Sequence, residues 1–128
     1  MDYLLDTHTF LWFLEGNENL SQKATAAIES SKNNSFISIA SIWEVAIKMS
    51  LKKLTLDVKL EDLKQEILTN NFEILPLDFE HILELYKLEE IHKDPFDRII
   101  ISQAISEKFT IISKDSNFGL YRNVMLLW

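Results

Sequence analysis

Apolar residues in this chain come in short clusters separated by polar breaks, and the clusters alternate in type. Asp2 to Leu5 is a brief apolar entry ending at Asp6 and reads as a buried strand. Thr7 to Glu15 follows, with Phe10, Leu11, Trp12, Phe13 and Leu14 making it apolar most of the way round. Such a helix is central or part of an interface. Gly16 and Asn17 end it. Ser21 caps a helix over Gln22 to Ser31, and Asn33-Asn34 turns the chain into a strand over Ser35 to Ile39. Ala40 to Lys53 has Ile42, Val45, Ala46 and Met49 at helical spacing. Thr55 to Val58 reads as a short extended piece, and Lys59 to Asn70 as a helix with Leu60, Leu63, Ile67 and Leu68 inward.

The second half repeats the alternation. Phe72 to Leu77 reads as a strand that Pro76 brings to an end. Asp78 caps a helix over Phe79 to Glu90, striped by Phe79, Ile82, Leu83 and Tyr86. In His92-Lys93-Asp94-Pro95-Phe96-Asp97-Arg98, Asp94 is a good N-cap and Pro95 suits the first helical position, so a helix runs from there to about Lys108. Thr110 to Ser113 is a strand, Lys114 to Asn117 a polar turn, and Val124 to Trp128 a final strand. Strands alternating with helices throughout predict an α/β fold in three layers, a parallel sheet between helices with right-handed crossovers.

A length of 128 residues with 47% hydrophobic residues gives one domain with a core of its own. There is no cysteine, which removes disulfides and thiolate metal sites and fits a cytoplasmic location. No basic stretch leads into a long apolar run, so neither a secretion signal nor a membrane span is expected. The net charge of -7 argues against binding nucleic acid through bulk charge. It leaves open a nucleic-acid substrate held through a metal on carboxylates.

Four acidic residues stand where a parallel sheet builds its sites. Asp6 follows the first strand and Asp115 the fourth, while Glu44 and Asp97 lie in first helical turns. Each has a plainer use. Asp6 and Asp97 could serve helix N-termini, Ser41-Ile42-Trp43-Glu44 has capping-box spacing, and Asp115 could close an Asx turn. All four project toward one sheet edge, however, and carboxylates gathered there without a cation would resist ionisation. Mg²⁺ or Mn²⁺, which prefer oxygen ligands, would make sense of the set. The chemistry that follows is phosphodiester hydrolysis, in which one or two metals lower the pKa of a bound water, orient it for in-line attack and stabilise the leaving oxygen. Ser113 is a hydroxyl near the metal, and Lys48, Arg98 and Lys114 are candidates to meet phosphate. His8, His81 and His92 lack zinc-ligand spacing and read as surface residues or supports.

The chain resembles PIN-domain nucleases, in particular the VapC-type toxins of bacterial toxin–antitoxin pairs. Leu4-Leu5-Asp6-Thr7-His8 with Leu11-Trp12 is similar to the family's first motif, Ser38 to Lys48 to its second, and His92 to Arg98 through Gln103-Ala104 to its third. Ile112-Ser113-Lys114-Asp115 is similar to its fourth, although relatives more often show Thr-Arg where this chain has Ser113-Lys114. The resemblance implies a five-stranded parallel sheet and a metal set on Asp6, Glu44, Asp97 and Asp115, with Asp6 and Asp97 as central ligands, Glu44 and Asp115 completing the site, a carboxylate such as Glu44 orienting the water, and Asp94 as a supporting acid. It also implies Mg²⁺- or Mn²⁺-dependent endoribonuclease activity, a homodimer, and a cognate antitoxin that covers the cleft. Two other classes stand beside it. One is a PIN-fold module that only docks a partner, which the apolar helix Thr7 to Glu15 and Trp43 would suit. The other is a haloacid-dehalogenase-like phosphatase, whose second acid would fall at His8.

Overall fold

The computed structural model describes all 128 residues. Its elements in order are β1 (Asp2–Leu5), α1 (Thr7–Glu15), α2 (Gln22–Glu29), β2 (Asn34–Ser38), α3 (Ile39–Ser50), α4 (Leu60–Thr69), β3 (Phe72–Leu75), α5 (Phe79–Lys87), α6 (Pro95–Glu107), β4 (Thr110–Ile112) and β5 (Met125–Leu127). A 3-10 turn over Ser116–Leu120 lies between the last two strands. All strand pairings are parallel, in the order β3-β2-β1-β4-β5. The three-layer α/β fold with a five-stranded sheet is therefore the one observed.

Strand alternation divides the core between the two faces of the sheet. Tyr3, Leu5, Ile37 and Ile112 point to the side covered by Phe10 and Leu11 of α1, Ala24 of α2, Val45 of α3 and Leu63 and Ile67 of α4. Leu4 and Ile111 point to the other side, onto Ile100, Ile101 and Ala104 of α6 and onto Phe118 and Tyr121. α5 packs against α6 rather than onto the sheet. It is pinned there by His81, whose Nε2 meets Glu107 at 2.9 Å.

Caps set the boundaries. α1 starts at Asp6 and stops at Gly16, whose φ of 64° is the left-handed turn that glycine adopts without a Cβ clash. Three expectations shift. The strand after α2 ends at Ser38, which caps α3 through the Ala40 N–H, so α3 begins at Ile39. Thr55 to Val58 forms no strand. The helix capped by Asp78 ends at Lys87, because Leu88 returns to extended backbone. No helix is long and apolar enough to cross a membrane.

Phe10 is fully buried and meets Phe72 edge-on at 6.2 Å, joining α1 to an outer strand of the sheet. Phe10→Ala is expected to cost about 3–5 kcal/mol in urea unfolding, and a loss below about 1 kcal/mol would contradict this placement of the core.

Candidate active site

The strand order reverses direction between β1 and β4, and open α/β folds place their chemistry beyond the carboxyl ends of the strands at that point. Asp6 leaves β1 there and Ser113 leaves β4. Asp6 is buried, and both its oxygens are engaged. Oδ1 accepts the Thr9 N–H at 2.9 Å, and Oδ2 accepts the Ser113 hydroxyl at 2.6 Å. Ser113 Oγ in turn accepts the Asp115 N–H at 3.0 Å. Asp6 thus caps α1 and faces the crevice with one carboxylate.

Glu44 reaches the same place from the second turn of α3, one turn later than its spacing from Ser41 suggests, because the helix starts at Ile39. It closes no capping box. Ser41 accepts the Thr7 hydroxyl at 2.9 Å, and Glu44 pairs with Lys48 at 3.0 Å. The Glu44 side chain is buried while Lys48 is largely exposed, so the pair is anchored from the acid's side.

Asp97 stands in the first turn of α6, but the capping falls to Asp94, whose Oδ1 accepts the N–H groups of Phe96 and Asp97 at 2.8 and 3.0 Å. The Asp97 carboxyl is pushed up to about 6. Burial is the main cause, followed by the charge of Asp94; His92 opposes, and Asp6 and Glu44 add to the rise. The charges of Asp6, at the end of β1, and of Glu44, on α3, therefore both reach Asp97 on α6.

Asp115 is held differently. Its Oδ1 accepts the Asn117 N–H at 2.9 Å, the Asx turn read from the sequence, and its Oδ2 meets His92 Nε2 at 2.9 Å. Burial pushes its carboxyl up, but the His92 and Asn117 hydrogen bonds and the charge of His92 outweigh that and hold it below the ordinary value. His92 lies against Phe118 and Tyr121 with ring centroids at 4.7 and 5.5 Å, and its Nδ1 meets the Tyr121 hydroxyl at 3.0 Å. The sequence offered no such role for Tyr121. The signal was the pair of aromatics just beyond the polar turn, which only the fold brings under His92.

Of the three cations, Arg98 is engaged elsewhere. Its guanidinium donates to the carbonyls of Glu89 at 2.8 Å and His92 at 3.2 Å, and the side chain is 15% exposed. It braces the loop before α6 instead of offering its fork to the crevice. Lys114 is exposed and sits 5.8 Å from the centre of the Trp12 ring, and Lys48 is paired with Glu44.

No three of Asp6, Glu44, Asp97 and Asp115 bring their oxygens together as closely as Asp78, His81 and Glu107 do, whose ligand atoms lie within 4.8 Å of one another. That second group has the spacing of a metal site, but its histidine has no lone pair left to offer. His81 Nδ1 accepts the Asp78 N–H at 3.1 Å, which assigns the proton to Nε2 and points it at Glu107. Both ring nitrogens are used in capping α5 and fastening it to α6. The crevice set has the opposite character: its donors are oxygens only, negatively charged and mutually repelling, which fits a hard divalent cation.

The sequence profile of the PIN domain family matches residues 3–123. Among solved structures, the chain is similar to VapBC2 from Rickettsia felis bound to a DNA fragment from their promoter, at a TM-score of 0.76 and 18% identity, covering 100% of this chain and 99% of that one. DNA-bound VapBC from Salmonella typhimurium matches at a TM-score of 0.72 and 14% identity over 99% and 97% of the two chains. FitAcB from Neisseria gonorrhoeae matches at 0.65 and 17% over 98% and 96%. No curated protein sequence matches the chain. A profile match over nearly the whole length, on a five-stranded parallel sheet, makes this chain a member of the PIN domain family.

Proposed function

We propose that this PIN domain is a metal-dependent endoribonuclease and the toxin of a toxin–antitoxin pair. The observation that carries the reading is the convergence of Asp6, Glu44 and Asp97 from β1, α3 and α6, close enough for Asp6 and Glu44 to disturb the ionisation of Asp97. Asp115 flanks Asp6 across a shared recess and completes the set. These four residues would hold Mg²⁺ or Mn²⁺. When bound, such an ion lowers the pKa of water and stabilises the leaving oxygen of a phosphodiester.

The chain's own residues then have separate tasks. The Ser113 hydroxyl and Thr9 N–H fix the rotamer of Asp6. His92 fixes Asp115. Glu44, once parted from Lys48, is free to orient a water, and Lys48 and Lys114 are the cations left to meet phosphate. RNA as substrate places the activity in the cytoplasm.

The relatives of known structure are complexes, which supports an antitoxin partner here. A groove of about 360 Å³ between α3, α4 and β3, walled by Ile39, Trp43, Ala46, Leu60, Leu63 and Ile74, suits an apolar segment of that partner. Where the antitoxin enters the acidic crevice it would present Arg or Lys beside Asp6 or Asp97. A homodimer would use α5, where Phe79 is 73% and Tyr86 90% exposed beside Ile82 and Leu83.

With Mn²⁺, the protein is expected to cleave single-stranded RNA, and Asp6→Asn and Asp97→Asn to slow cleavage by at least about a hundredfold. Undiminished cleavage by both variants would sink the assignment. Millimolar Mn²⁺ should also raise the melting temperature, since it binds the folded chain. An unchanged melting point would leave the chain a docking module.

Asp97 gives a test without RNA. Its folded pKa of about 6 lies above the ordinary 3.8, so its contribution to stability is complete below pH 3.8 and lost as pH rises through 6. Asp97→Asn cannot ionise. In metal-free buffer at pH 8 it should be more stable than the wild type by about 1 kcal/mol, after discounting for solvent screening, with the gain vanishing below pH 4. Added Mn²⁺ should reverse the order. A variant less stable than the wild type at pH 8 without metal would refute the crowding of charge around Asp97.

A further inference from the structure

Beside the carboxylates lies a recess of about 310 Å³ formed by Asp6, His8, Trp12, Lys114 and Asp115. His8 and Trp12 are four residues apart on α1, so they share a face, and their rings stand 6.1 Å apart. Trp12 differs from its neighbours on that helix. Phe10 and Leu11 belong to the core, and Phe13 and Leu14 pack against it, whereas Trp12 is half-buried and turns to Trp128, His8 and Lys114. Lys114, which lies over the ring, is exposed and can swing aside.

An acidic chain has few ways to hold RNA. Its net charge of -7 repels the backbone, and the floor of the crevice is carboxylate. A flat aromatic face avoids that conflict, because a nucleobase is uncharged and stacking tolerates any base. Only an unstacked base can reach such a ring, so the feature selects single-stranded or bulged RNA.

We propose that Trp12, with His8 and Lys114 at its rim, is a nucleobase-stacking platform for the nucleotide next to the phosphate that a cation on Asp6 and Asp115 would hold. The base lies on the Trp12 ring and Lys114 moves from the ring to the neighbouring phosphate. This rests on the nuclease reading for what happens at Asp6, but not for the stacking itself.

The test measures binding rather than cleavage, by fluorescence anisotropy of a fluorescein-labelled, phosphorothioate-linked hexauridylate in Mg²⁺. Trp12→Leu should weaken binding about tenfold, and Trp12→Phe should restore most of it. A hexamer with abasic sugars should bind the wild type as poorly as the uridine hexamer binds Trp12→Leu, and should not distinguish the two proteins. Lys114→Gln should lower the salt slope of binding by about 0.7. The rise in melting temperature with Mn²⁺ should persist in Trp12→Leu, showing an intact fold and carboxylate set. Equal affinity of wild type and Trp12→Leu for the uridine hexamer, the same loss on the abasic hexamer, or no binding by the wild type would overturn the platform. Base-dependent binding by a wild type that never cleaves RNA would instead sink the nuclease reading and leave the platform standing.

Discussion

The hydrogen bond from the Ser113 hydroxyl to Asp6 ties the ends of β1 and β4 together at 2.6 Å. Those two strands are neighbours in space but about a hundred residues apart in sequence, and their junction is where the sheet reverses its winding. The bond settles several things at once. It occupies Oδ2 of Asp6 and leaves Oδ1 to cap α1. Through the Asp115 N–H on the same Ser113 oxygen it also sets the path of the chain into the turn that carries Asp115. A hydroxyl suits this position because it donates to one group while accepting from another.

Around that junction the protein gathers like charge and offsets it only in part. Lys48 partners Glu44, and His92 partners Asp115, while Asp97 is left among acids. The result is graded. Asp115 is held below the ordinary carboxylate range and Asp97 well above it, although both lie at one edge of the sheet. Acids whose surroundings shift them this strongly mark a candidate site, since structural acids are seldom left among others of their own sign.

The alternation of apolar clusters sufficed to give the element order, because parallel α/β folds write each strand and each helix face locally. Asp6, Asp97 and Asp115 were legible for a related reason: each follows a strand or a cap whose position periodicity marks. Ser38 as a cap was not, since Ser41 offered the same side chain three residues before a glutamate and only packing chose between them. Arg98 looked like a phosphate ligand beside Asp97, and its bonds to two loop carbonyls depend on where the preceding loop lies. Trp12 reads as one more apolar residue in a dense run, and only the arrangement of Trp128 and Lys114 shows that it stands outside the core.

Arg98 ties the start of α6 to the loop that precedes it. Its guanidinium grips the carbonyls of Glu89 and His92, His92 grips Asp115, and Asp97 adjoins Arg98 on the same helical turn. Asp97 and Asp115 are therefore both tied to the loop before α6, one through its neighbour Arg98 and the other through His92. Changing the length of the segment between Leu88 and Lys93 would displace both acids together, so this stretch should be less free to vary in length than an ordinary surface connection.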